Sequence, residues 1–111
     1  MNRGEVYWVN LDPTVGSEIQ KKRPCVLLGA NPINQARRTV VVVPLSSVGR
    51  VRPPLTVAVR CLGRAAVAVC DQIRAVDKSR LLERAGEVSD EDLRAIGRGE
   101  DHGHISHPAL V

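Results

Sequence analysis

A run of four valines closed by proline and leucine, residues 39–45 (TVVVVPL), constrains this chain more than any other stretch. β-branched side chains are stiff at χ1 and pack well on a pleated surface, and a run without polar alternation has no face to offer to water. It predicts a strand buried on both faces, which must be covered from both sides. Pro44 removes a ladder donor and is expected to interrupt the strand just before Ser46 and Ser47. Those hydroxyls then stand at a strand end, where side chains are often presented to ligands. Composition limits what can do the covering. The 111 residues suffice for one core but not two, and with no Phe, one Trp and one Tyr that core must be aliphatic.

The remaining elements follow from local signals. Residues 5–11 (EVYWVNL) read as a first strand closed by Asp12-Pro13, and residues 12–23 as a loop long enough to form a flap over a groove. A second strand is expected over 24–29. Asn31-Pro32 then opens a short helical or irregular segment reaching Arg37-Arg38. Residues 48–54 form a second basic loop carrying Arg50 and Arg52. Residues 55–60 and 65–70 predict a hairpin, with Gly63 supplying the special backbone angle of its turn. The chain continues from Asp71 toward Val76, and residues 77–82 suit a single helical turn. Ser89 and the acidic Asp90, Glu91 and Asp92 precede Leu93 and Ile96 as a helix N-cap, and that helix is expected to fade at Gly97-Arg98-Gly99.

Sixteen Lys and Arg against twelve Asp and Glu give a net charge of +4, which favours a polyanionic partner, nucleic acid first. Cys25, Cys61 and Cys70 are odd in number and form no C-x-x-C pair, so they read as reduced small hydrophobes. With no apolar leader and no run of eighteen apolar residues, the expected setting is the cytoplasm, without a membrane span. All three histidines, His102, His104 and His107, lie in the last dozen residues. A fold whose imidazoles sit in a terminal tail is not expected to use two-histidine chemistry, and no metal or other cofactor is expected.

Function is best sought in residues 16–28 (GSEIQKKRPCVLL). Glu18 precedes three consecutive cations, Lys21, Lys22 and Arg23, and Pro24 then leads into an apolar strand. Proline biases the preceding residue toward an extended backbone, which holds the Arg23 guanidinium at the stiff start of that strand. The segment reads either as a solvated basic loop or as a rigidly based phosphate clamp. Trp8 suits either a base-stacking role or packing in a core or dimer contact.

In order and spacing, RGEVYWVNLDPTVGSEIQKKRP, VVVPLSS and VCDQIRAVDKSRL resemble the MazF/PemK family of toxin endoribonucleases from bacterial toxin–antitoxin pairs, over about residues 3–96. The resemblance implies a mainly β (α+β) fold, an SH3-like, strongly curved β-barrel with a few short helices, shared with the CcdB toxins. It also implies a homodimer, cleavage of single-stranded RNA, and inhibition by a cognate antitoxin whose acidic disordered segment lies across the RNA groove. By this likeness the catalytic residues are Arg23, Ser46, where the family usually has threonine, and Glu18. The RNA-binding set is Trp8, Lys21, Lys22, Ser47, Arg50, Arg52 and Gln72. Residues 1–98 would be the toxin domain and 99–111 a flexible tail, in place of the amphipathic helix that relatives continue.

Such an enzyme needs no metal, because the RNA 2′-hydroxyl is a built-in nucleophile that leaves a 2′,3′-cyclic phosphate and a 5′-hydroxyl. Arg23 suits stabilisation of the charge that develops on phosphorus, Ser46 one further hydrogen bond, and Glu18 the role of base. The alternative is a non-catalytic toxin of the same fold that poisons a protein such as DNA gyrase. The pairing of Arg23 with Ser46 beside a basic groove favours RNA chemistry.

Overall fold

The computed structural model describes residues 2–11, 22–29, 31–53, 55–61 and 63–100, with 98–100 described as backbone. Within these, seven strands form one sheet: β1 Glu5–Asn10, β2 Lys22–Leu27, β3 Thr39–Ser46, β4 Thr56–Cys61, β5 Arg64–Val69, β6 Arg74–Asp77 and β7 Leu81–Glu87. Two α-helices accompany them, α1 Asn31–Ala36 and α2 Asp90–Glu100.

The valine run is β3, and the sheet is arranged on its two edges. Along one edge β2 pairs Cys25, Val26 and Leu27 with Pro44, Val43 and Val42. The other edge is divided: β6 takes Thr39 to Val42, and β5 takes Leu45 and Ser46. Changing partner partway along a strand turns the sheet back on itself, and the result is a curled, mostly β half-barrel in the order β4-β5-β3-β2-β1-β7. Pro44 does not end β3 as its missing N–H suggests. It is buried and paired with Cys25, and it sits at the change of partner, where the ladder on the divided edge is interrupted in any case.

Both faces of β3 are covered, as four consecutive valines require. The inner cluster joins Val43 and Leu45 to Val6, Val26, Val57, Val59, Ala68 and Ile96 from both ends of the sheet and from α2. The outer cluster joins Val40 and Val42 to Val9, Cys25, Leu27 and Val76, with Tyr7 and Leu81 against it. All three cysteines are buried thiols outside any disulfide. Asn34 is the buried polar side chain of α1, and its Nδ2 donates to the Gly29 carbonyl at 3.3 Å, docking that short helix on the end of β2.

The hairpin forms as expected, with Gly63 at φ +74° and β4 in register with β5 from Thr56↔Val69 to Cys61↔Arg64. Three expectations are corrected. β2 begins at Lys22, two residues early, so Lys22 and Arg23 are strand residues paired with Asn10 and Val9. The helical turn near 77–82 is a 3₁₀ turn at Lys78–Arg80. Leu81 and Leu82 already belong to β7, which pairs with β1. α2 is capped as predicted, with Asp92 N–H donating to Ser89 Oγ at 3.0 Å, but it continues through Gly97 and Gly99. Packing of Leu93 and fully buried Ile96 on the inner core outweighs a glycine cost of about 1 kcal/mol each. Residues 101–111, with the three histidines, lie outside the described residues, as do 12–21 of the expected flap.

On the free edge of β4, the Arg60 N–H donates to Asp92 Oδ2 at 2.9 Å, and the Thr56 N–H to the Arg52 carbonyl at 3.0 Å. At the opposite end of the sheet, Arg84 of β7 donates Nε to Glu5 Oε2 at 2.6 Å and Nη2 to Glu87 Oε1 at 3.2 Å. The Arg84 hydrogen bond, with a further one from Asn2 N–H, holds the Glu5 carboxyl below its ordinary 4.5. A depressed carboxyl contributes stability that is full above pH ~4.5 and is lost as pH falls through the folded value. Glu5→Gln should therefore lower Tm at pH 7 and flatten the acid limb of the Tm–pH curve. An acid limb unchanged in the variant would remove Glu5 from that role.

Candidate functional site

Neighbouring strands in the order β5-β3-β2-β1 bring four chain segments to one end of the sheet, around a cleft of about 680 Å³. β1 supplies Trp8, β2 supplies Lys22, Arg23 and Pro24, the end of β3 supplies Leu45, Ser46 and Ser47, and the hairpin supplies Cys61, Arg64, Ala65 and Ala66.

Register explains the grouping. Trp8 is paired with Pro24, and Ser46 with Val67. The pairing of β2 with β3 reaches Cys25↔Pro44, and Arg23 and Ser46 each lie two residues beyond it on the two strands, both lining the cleft. Strand alternation then divides the cleft. Leu45, Cys61 and Ala66 belong to the inner core, and Trp8, Pro24 and Arg64 share the alternation of Val6, Val26 and Ala68 in that core. Arg23 and Ser46 alternate with the outer face, so they meet at the rim. The cleft has an apolar floor and a rim that carries a guanidinium next to a hydroxyl.

Among the described residues its charge is one-signed: Lys22, Arg23 and Arg64 are the charged ones lining it, with no carboxylate beside them. Among the described residues, the ion pairs formed belong to Arg84, on the far edge of the sheet. Arg23 is half-buried, held by strand pairing on β1. Ser46 donates its hydroxyl to the Val48 carbonyl at 2.6 Å and accepts the Val48 N–H at 3.2 Å, so it closes the turn that ends β3. To bind a ligand oxygen, the hydroxyl must exchange the Val48 carbonyl for it. The thiols are not nucleophiles in this setting. Burial pushes Cys61 up, and it pushes Cys25 up to about 12 although Arg74 and Arg23 pull the other way. Among the described residues, no three of His, Cys, Asp and Glu come together in a way that would hold a metal ion.

Of the residues expected from sequence, the structure gathers Trp8, Lys22, Arg23, Ser46 and Ser47. It places Arg50 and Arg52 on the exposed loop after β3 and Gln72 on an exposed 3₁₀ turn, none of them lining the cleft. Glu18 and Lys21 lie outside the described residues. Sequence reasoning missed Arg64. Its only local signal is a position beside Gly63 in the hairpin, and its place in the cleft depends on β5 pairing with the end of β3.

Residues 2–99 match a family model described as PemK-like, MazF-like toxin of type II toxin–antitoxin system. The chain is 30% identical over 106 residues to Endoribonuclease MazF of Staphylococcus saprophyticus, covering 91% of this chain and 88% of that protein. It is 37% identical over 96 residues to Endoribonuclease PemK of Escherichia coli, covering 79% and 72%. Among solved structures, MazF (Form-I) from Deinococcus radiodurans superimposes with a TM-score of 0.76 at 25% identity, covering 89% of this chain and 91% of that one. A mycobacterial endoribonuclease in complex with its cognate antitoxin gives 0.77 at 23% identity, covering 97% of each chain, a likeness of fold.

Trp8 is the single tryptophan, so its emission reports on the cleft. Titration with a single-stranded oligonucleotide should change that emission. The log–log salt slope should approach −2 if all three cations each neutralise a phosphate, at about −0.7 per contact. Lys22→Glu should flatten the slope by about one such step. An emission blind to the oligonucleotide would place the binding path elsewhere.

Proposed function

The chain belongs to the PemK-like, MazF-like toxin family of type II toxin–antitoxin systems, and from that premise we propose that it is an endoribonuclease toxin that cuts single-stranded RNA in this cleft. The observation that carries the reading is that Arg23 and Ser46 together line a cleft whose charged residues, among those described, are all cations.

In the proposed reaction the 2′-hydroxyl of the nucleotide 5′ of the scissile bond attacks phosphorus in line. The P–O5′ bond breaks, giving a 2′,3′-cyclic phosphate and a 5′-hydroxyl. The work left to the protein is positioning and stabilisation of the charge that grows on the non-bridging oxygens. Arg23 offers fixed paired donors for those oxygens, on a strand rather than a loop. Ser46 adds one donor once its hydroxyl turns from Val48. Arginine's pKa above ~12 makes it a poor base, so Glu18 is assigned the 2′-proton, and Arg23 the lesser stretch of donating toward the leaving oxygen. Trp8 supplies a stacking surface for an unpaired base, and Lys22 and Ser47 hold flanking phosphates; Lys21, Arg50, Arg52 and Gln72 extend the RNA path beyond the cleft.

On the same reading, the protein acts in the cytoplasm as a homodimer, slowing growth by destroying RNA, and its cognate antitoxin lays an acidic segment into this cleft. The cations Lys22, Arg23 and Arg64 that line it complement such a segment. The toxin domain of residues 1–98 is extended by α2 to Glu100, and the appended tail follows it.

Purified protein incubated with mixed RNA in EDTA should give 5′-hydroxyl ends at defined sites. A substrate with one 2′-deoxy nucleotide 5′ of the cut should bind and not be cleaved. Arg23→Ala should abolish cleavage with stability changed by no more than about 0.5 kcal/mol. An active Arg23→Ala protein, or cleavage of the 2′-deoxy substrate, would falsify the mechanism.

Ser46→Ala should lower kcat/KM by roughly 1.5–3 kcal/mol, the worth of one hydrogen bond to a charged group. If alanine cuts as fast as serine and only Tm falls, Ser46 serves the turn alone.

A further inference from the structure

The two sides of the cleft differ in chemistry. The rim on β2 and β3 presents Arg23 beside Ser46, suited to a phosphate. The side on β5 presents Arg64 with the small apolar Ala65 and Ala66, and among the described residues Arg64 is the charged one lining the cleft there, Arg60 of β4 being turned to the Gly63 carbonyl at 3.4 Å. β3 lies between β2 and β5, so Arg23 and Arg64 are two strand spacings apart, roughly 10 Å, and Arg64 also lies three residues beyond Val67, the partner of Ser46, a further offset of roughly 10 Å along the strand. Arg64 therefore stands off the reacting phosphate and over a neighbouring nucleotide. Ala66 and Trp8 share the inner alternation and give a surface for the flat face of a base, with Arg64 on the same alternation at its edge.

Resting on the ribonuclease reading above, we propose that Arg64 determines sequence specificity by recognising a guanine within two nucleotides of the cut. A guanidinium only donates, so it needs two adjacent acceptors. Guanine presents O6 and N7 in that arrangement, whereas adenine places the N6 amino donor beside N7. One such paired contact discriminates between bases by about five- to about 150-fold.

Mapping of new 5′ ends on a random RNA pool should show a guanine column within two positions of the cut for the wild-type chain. In Arg64→Ala and in Arg64→Lys, which keeps the charge but loses the fork, the guanine-to-adenine preference should fall toward one. Arg64→Gln should shift it toward adenine, because glutamine donates to N7 and accepts from N6. Replacing the read guanine by 7-deazaguanine should cost the wild-type chain most of its preference and the variants nothing. In parallel, binding of uncleavable 2′-O-methyl oligomers carrying guanine or adenine is followed by Trp8 emission. A guanine preference in binding that Arg64→Ala abolishes upholds the site even if no RNA is cut, the result that would overturn the ribonuclease reading instead. Cleavage with an unchanged site preference in Arg64→Ala overturns the assignment and leaves that reading standing. A uniform loss at all sites, with the salt slope reduced by about 0.7, also overturns it, making Arg64 a phosphate contact.

Discussion

Burial of β3 on both faces is the constraint from which the rest of the architecture follows. A strand with Val42 and Val43 both fully buried needs an apolar layer above and below, and a chain this short cannot supply two separate layers. It meets the demand by curling. β5 and β6 share one edge of β3, the β4–β5 hairpin swings across the inner face, and α2 closes what remains with Ile96. Where β5 takes over as partner, β3 ends, and the residues that finish the adjoining strands converge. The cleft is thus the mouth of the inner core. Its functional side chains stand on paired backbone, which holds geometry better than loops do.

Charge distribution reinforces this. A net charge of +4 is modest, but the acidic residues with visible roles are committed away from the cleft. Asp92 accepts the Arg60 N–H, Asp77 accepts the Ser79 N–H, and Glu5 and Glu87 hold Arg84. These four carboxylates are used structurally elsewhere, away from the cations of the cleft. The local potential is therefore more positive than the composition suggests.

What could be read from sequence was what local chemistry determines. The valine run, the Gly63 hairpin and the Ser89 cap each carry their own signal, and Arg23 and Ser46 stood out because family motifs and a following apolar strand marked them. β7 was missed because LLERAGE has no β-branched residue. It is a strand because β1 offers it an edge, with register shifts at Val6/Tyr7 and Tyr7/Val9 that no periodicity would reveal. The end of α2 was misjudged for a related reason. Glycine weakens a helix by a known amount, but the burial of Ile96 that outweighs it is a tertiary fact. Arg64 joins the site through strand order alone. Contacts between residues distant in sequence decided each of these.

The hydrogen bonds on the outer edge of β4 have a consequence for how this molecule behaves in a crowd. An edge strand with open donors is a template onto which any extended chain can add, the usual route by which β-rich proteins clump. Here the Arg60 and Thr56 donors are already taken, one by a side chain of α2 and one by the chain's own preceding turn. A newcomer would have to displace both before its ladder could start. Two of the outward donors of this edge are thus held by the protein's own groups, which works against the addition of a further strand.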